Sequence, residues 1–197
     1  MGKNRLEAFS DGVIAIIITI MVLDLKVPHE SNLEALRPLL PTFLAYVLSF
    51  AFVGIFWNNH HHMFNATRRI NGQVLWANLL LLFALSLFPF TTAWVGENHA
   101  APVPSALYGA VLLLSAASYI VVQQTIIAAQ GADSLLRRAV GEDRKGKLSM
   151  LLIAGGIVAS FCVQYLAQGL YAAVALIWLI PDRRIERALD DHDAAPE

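Results

Sequence analysis

Few side chains in this sequence could do chemistry, and they gather in a small number of places. Asp11 stands at the head of an otherwise apolar run, in NRLEAFSDGVIAIIITIMVLDLKVP, with Arg5, Phe9 and Ser10 just before it. An ionised carboxylate at or just inside a membrane boundary costs up to about 3 kcal/mol on insertion scales unless it faces protein or water, so Asp11 needs a partner. Arg5 is six residues back and falls on a different face of an ideal helix, which points to another helix or a neighbouring subunit. A second cluster, Trp57 followed by Asn58, Asn59, His60, His61 and His62, closes a later apolar run, and Asn78 lies near the start of the next. Three adjacent histidines invite a metal site. Neighbours on a helix point about 100° apart, however, and do not converge on one ion as i, i+4 pairs can. A hydrogen-bonding role for one of them fits better, with titration near about pH 6.5 available to tune it. No cofactor or metal is called for.

The elements that must position these groups are membrane helices. The chain has 197 residues, 57% hydrophobic and 15% charged, with a mean hydropathy of +0.57. Soluble domains carry about 25% charged residues, so the composition is that of an integral membrane protein of the all-α class. A net charge of −1 offers no basic field for nucleic acid. The lone Cys162 lies in an apolar run and reads as a small buried hydrophobe. Asn4 and Glu7 have the spacing of a helix cap and its reciprocal partner, predicting a first span from Arg5 to Val27, and Asp24-Leu25-Lys26 stands where a signal peptide would carry small residues. Its 23 residues extend about 34 Å, enough for a hydrocarbon core of about 30 Å.

Further spans are expected at about 39–57, 74–95, 105–129, 148–163 and 169–180. Pro89 should kink or end the third. The 33 residues from Leu148 to Ile180 are too many for one ordinary span, and Gln164, Gln168 and Gly169 suggest a reversal between two short ones. The segment 130–147 is too charged for the bilayer, and a charged tail occupies 182–197. Lysine and arginine fix the orientation: Lys3 and Arg5, Arg68 and Arg69, five residues in 137–147 and three in the tail make twelve of fourteen on one side. Six spans with both termini in the cytoplasm account for that distribution. The whole is one membrane domain, residues 1–181, followed by the tail.

Within the first span Ile16, Ile20 and Leu23 follow the i, i+4, i+7 spacing of one stripe, with Thr19 beside them. Spacing alone leaves this stripe open to lipid, to packing or to a conduit. Two further classes also stay open. A membrane-embedded enzyme could use Asp11 and the His60–His62 cluster as acid, base or metal ligands, and a secondary transporter would show inverted repeats, of which none is visible.

Arg5-x-x-x-Phe9-Ser10-Asp11 resembles the signature of the transmembrane protein 175 family, potassium channels of prokaryotes and of animal endosomes and lysosomes. The stretches PTFLAYVLSFAFVGIFWNNHHHMF, ANLLLLFALSLFPFTT and ALIWLIPDRRI are similar to the family's second, third and sixth helices. The resemblance implies a six-helix subunit of a homotetramer in the cell membrane, as in the single-repeat prokaryotic members, with the first helix lining a central pore. It implies a potassium-selective cation channel, modestly selective over sodium, with no Thr-Val-Gly-Tyr-Gly type of filter. Ile16, Ile20 and Leu23 then become an aliphatic constriction, and Thr19 a hydroxyl that could sharpen selectivity. Arg5, Phe9, Ser10, Asp11, Trp57, His60, His61, His62 and Asn78 become a structural network at its cytoplasmic end. Permeant potassium and membrane lipid are the implied partners.

Overall fold

The computed structural model describes residues 2–67, 69–98, 101–131, 134–141 and 143–179, and every described element is helical. The charged tail 182–197 lies outside the described residues, as do Arg68, His99, Asp133 and Glu142. The first helix, α1, spans Lys3–Val22. It starts two residues before the expected position: the amides of Arg5 and Leu6 bond to the Gly2 carbonyl, so Gly2 is the cap and Asn4 is already in the first turn. The Asn4–Glu7 cap therefore does not form. Leu6, Ser10, Ile14, Ile17 and Met21 make its buried stripe, at the three- and four-residue spacing of one helical face. The helix also ends five residues short of Val27. Leu23 is its C-cap, bonding back to the Ile20 carbonyl, and a turn carries the chain through Asp24 and Leu25.

A 3-10 turn at Leu33–Leu39, capped by the Asn32 side chain, leads into α2, Leu40–Asn65, with Pro41 in its first turn where no intrahelical N–H is needed. α2 continues eight residues past the expected end, because nothing in Asn58–Asn65 breaks a helix; the histidines are helical. Asn71 caps α3, Gly72–Ser86, by accepting from the Val74 amide at 3.0 Å. α4 follows at Phe88–Glu97, so the expected third span is broken at Leu87, where Pro89 removes a backbone donor. α5 covers Pro102–Gln130 and a short α6 covers Leu135–Val140. The Asp143 side chain caps α7, Arg144–Ala159, and α8 runs over Gln164–Leu179.

The reversal between α7 and α8 falls at 160–163, ahead of the expected position, and leaves Cys162 exposed rather than buried. Gln168 is instead inside α8, donating to Ser105 Oγ of α5 at 2.8 Å, while the Tyr171 hydroxyl donates to the Ser105 carbonyl at 3.2 Å. Tyr171 lies against Gly109 of α5 and Gly156 of α7, where a β-carbon would collide with its ring or hydroxyl. This aromatic plug sets the spacing of the three helices.

Among the described residues, three stretches are long and apolar enough to cross a membrane: Leu33–Asn65, Gly72–Glu97 and Pro102–Gln130. α8 is a shorter apolar helix. α1 packs against α2, α3 and α4, while α5, α7 and α8 group on the other side. α1 is thus covered along one stripe only.

Candidate functional site

The buried stripe of α1 carries its one polar member, Ser10, into a hydrogen-bonded relay. Ser10 Oγ donates to the Leu6 carbonyl at 2.9 Å and accepts from Asn78 Nδ2 at 2.9 Å. Asn78 Oδ1 in turn accepts from His60 Nε2 at 2.8 Å, which places a hydrogen on that nitrogen. All three side chains are buried, and the His60 ring stacks on Phe64 with centroids 4.4 Å apart. The relay joins α1, α3 and α2. A buried amide in a low-dielectric interior is stable only when its donor and acceptor are both used, and here one carboxamide uses both.

Asp11 is one position round the helix and meets a different partner. Its Oδ1 accepts from Trp57 Nε1 at 2.9 Å, and the Trp57 ring stacks on His61 at 6.1 Å. His61 Nε2 accepts from Asn65 Nδ2 at 3.0 Å, and Lys3 Nζ donates to the Asn65 carbonyl at 3.4 Å. His62 meets His61 edge-on, with ring centroids 5.7 Å apart. Arg5 is exposed and makes no ion pair among the described residues. The motif therefore divides into Ser10–Asn78–His60 inside and Asp11–Trp57–His61 at the edge. Among the described residues no group of three His, Cys, Asp or Glu side chains could hold a metal ion.

The opposite face of α1 is bare in the single chain. Phe9 is 48% exposed, Ile16 58%, Ile20 45% and Leu23 78%. Arg5, Phe9, Gly12, Ile16, Ile20 and Leu23 recur at three- and four-residue spacing, so the exposed surface is one continuous stripe. Thr19 lies on its edge, with Oγ1 donating to the Ile16 carbonyl at 3.0 Å. That bond occupies the hydroxyl hydrogen and leaves the oxygen able to accept.

At the far end of α1, Lys26 and Glu97 pair at 2.8 Å and link the following turn to the end of α4. Burial and the Glu97 carboxylate push the Asp24 carboxyl above its ordinary value, against the opposing pull of Lys26. One level deeper is a group that sequence reasoning missed. Thr92 Oγ1 can give its one hydrogen to Ser49 Oγ at 2.7 Å or to Met21 Sδ at 3.9 Å, and Ser49 Oγ and the Tyr108 hydroxyl share a hydrogen bond at 3.0 Å. The available signal was weak: three hydroxyls isolated in apolar runs of three different helices.

Comparison with known proteins adds the family to this geometry. The profile described as "Endosomal/lysosomal potassium channel TMEM175" matches residues 5–89. A protein of Chryseobacterium sp. (strain P1-3) named as a potassium channel is 53% identical over 192 residues, covering 98% of this chain and all of that one. The mouse endosomal/lysosomal proton channel TMEM175 is 35% identical over 115 residues, 50% of this chain and 23% of the mouse protein. The crystal structure of a lysosomal potassium-selective channel TMEM175 homologue from Chamaesiphon minutus superposes with a TM-score of 0.77 at 28% identity, covering 91% of this chain and 97% of that one. With a signature that spans the relay, a full-length relative and a shared fold, this chain belongs to the TMEM175 family.

Proposed function

We propose that the protein is a potassium channel of the cell membrane, a homotetramer in which four copies of α1 surround the conduction path. The observation that carries this reading is the two-faced α1: its polar anchors point into its own subunit, while Phe9, Ile16, Ile20 and Leu23 are left half-exposed or more by the rest of the chain. Lipid would cover an apolar stripe equally well, and family membership supports covering this one with a closed symmetric ring of subunits. Six crossings follow if α1, α2, α3 with α4, α5, α7 and α8 each span once, with both termini cytoplasmic as the lysine and arginine distribution requires. The enzyme and transporter readings are not favoured, since the family and the relatives are channels.

Selectivity in such a pore comes from dehydration. Rings of Ile16, Ile20 and Leu23 offer no ligand to replace a hydration shell, so a narrow state dewets and blocks, while a wider one passes the ions that shed water more easily. Potassium holds its shell less tightly than sodium, giving a modest preference. In the tetramer Thr19 would add a ring of hydroxyl oxygens that can still accept and partly replace lost water, so Thr19→Val should lower the potassium-to-sodium flux ratio.

The test is potassium flux through purified protein in liposomes, wild type against Ile16→Asn, under a potassium and then a sodium gradient. Wild-type flux favouring potassium, with a changed rate or ratio in the variant, is expected. Absence of cation flux from both folded proteins would overturn the channel reading.

A further inference from the structure

The relay at Ser10 fixes the lower part of α1, and the hydroxyl group around Thr92 occupies the corresponding position higher up. Met21 lies on the same buried stripe as Ser10, eleven residues or about 16 Å further along the helix, and is fully buried. Between the two, Ile14 and Ile17 are buried in the apolar core. Met21 points away from the Ile16 face, into the side where α2, α4 and α5 deliver Ser49, Thr92 and Tyr108.

We propose that Thr92, Ser49 and Tyr108 form an outer clamp on α1, a set of positioning residues that holds the upper half of the pore helix back from the central axis. Three observations converge on this. The hydroxyls are all buried in apolar surroundings, where leaving one unpaired is costly, so the group holds together as a unit or comes apart as one. Its base is fixed: Thr42 Oγ1 donates to the Gly96 carbonyl at 3.1 Å, and a β-carbon on Gly96 would come within 3.0 Å of the Thr42 backbone, so α4 is locked against the start of α2. The break at Leu87 frees α4 from the line of α3 and lets it reach α1. With the clamp made, α1 is pinned at two levels. With it released, the helix keeps its lower anchor and its upper half leans toward the axis, narrowing the ring at Ile20 and Leu23.

This inference rests on the reading of α1 as the pore helix, and the experiment separates the two. Full-length protein in liposomes is compared as wild type, Thr92→Val, Thr92→Ser, Met21→Leu and Ile16→Asn, with potassium and sodium fluxes measured for each. Thr92→Val should lower potassium flux by about threefold or more, the factor expected for one hydrogen bond within a membrane bundle, and should shift the potassium-to-sodium ratio. Thr92→Ser, which keeps the hydroxyl, should restore both. Met21→Leu should act in the same direction, and combining it with Thr92→Val should add little, because both cut the same link. Should Thr92→Val fail to fold, Ser49→Ala carries the same comparison. Wild-type flux and ratio in folded Thr92→Val, or a Thr92→Ser variant as impaired as the valine, would overturn the clamp. If Ile16→Asn also leaves both fluxes unchanged, the pore reading itself fails; if it alters them while Thr92→Val does not, only the clamp fails.

Discussion

Asn78 is the residue on which the inner relay depends, because one carboxamide satisfies both Ser10 and His60. Asn78→Ala leaves the buried His60 Nε2–H without its acceptor, while Ser10 keeps its bond to the Leu6 carbonyl, and should destabilise the folded protein by about 1–3 kcal/mol, seen as a lower thermal midpoint in detergent. Trp57→Phe removes a single bond to Asp11 at a half-exposed edge and should lower that midpoint less. An equal loss in the two variants would contradict this division. The residue types of this network were legible in the sequence, since polar side chains inside apolar runs are few. Their pairing was not. Ser10 and Asn78 are 68 positions apart, and which of three adjacent histidines turns inward depends on the phase of a helix whose end the string Asn58–His62 does not mark. The same uncertainty about ends misplaced the first cap: Asn4 and Glu7 have the right spacing, but the Gly2 carbonyl takes the first amides.

Among the elements, α5, α7 and α8 are held by the Tyr171 plug, and this makes a sharp distinction between two adjacent glycines. Gly156 has no room for a methyl group beside the Tyr171 ring, whereas a β-carbon at Gly155 would meet only Leu170 Cδ1 at an ordinary 3.9 Å. Gly156→Ala should cost about 1–3 kcal/mol through overpacking. Gly155→Ala should be neutral or stabilising by up to about 1 kcal/mol from helix propensity. Thermal unfolding of the two variants side by side checks the packing, and tolerance of alanine at 156 would show that the plug is not tight. Hydropathy gave the approximate places of these helices but not the turn between α7 and α8. Gln164, Gln168 and Gly169 look like a polar reversal in one dimension, yet Gln168 is spent on Ser105 across the bundle, and the chain turns four residues earlier.

For the whole molecule, the proposed tetramer would cover the exposed stripe of α1 with other subunits, and the proposed orientation would set most of the basic residues against one charged membrane face. The turn at 160–163 bears on both. It carries the protein's one cysteine, and the sulfur-bearing residue is exposed. With the termini inside, a membrane-impermeant maleimide added to intact cells should modify Cys162, and protection until the membrane is permeabilised would reverse the orientation. The same turn makes the wild-type protein its own ruler. A nitroxide attached at that single sulfur marks every subunit once, with no engineered cysteine and none to remove. Four marks related by a fourfold axis define a square, whose pulsed dipolar spectrum contains two distances in a ratio of about 1.4, side to diagonal. A dimer would give one distance and a trimer one, so the stoichiometry of the assembly can be read from a chemical feature the chain already possesses.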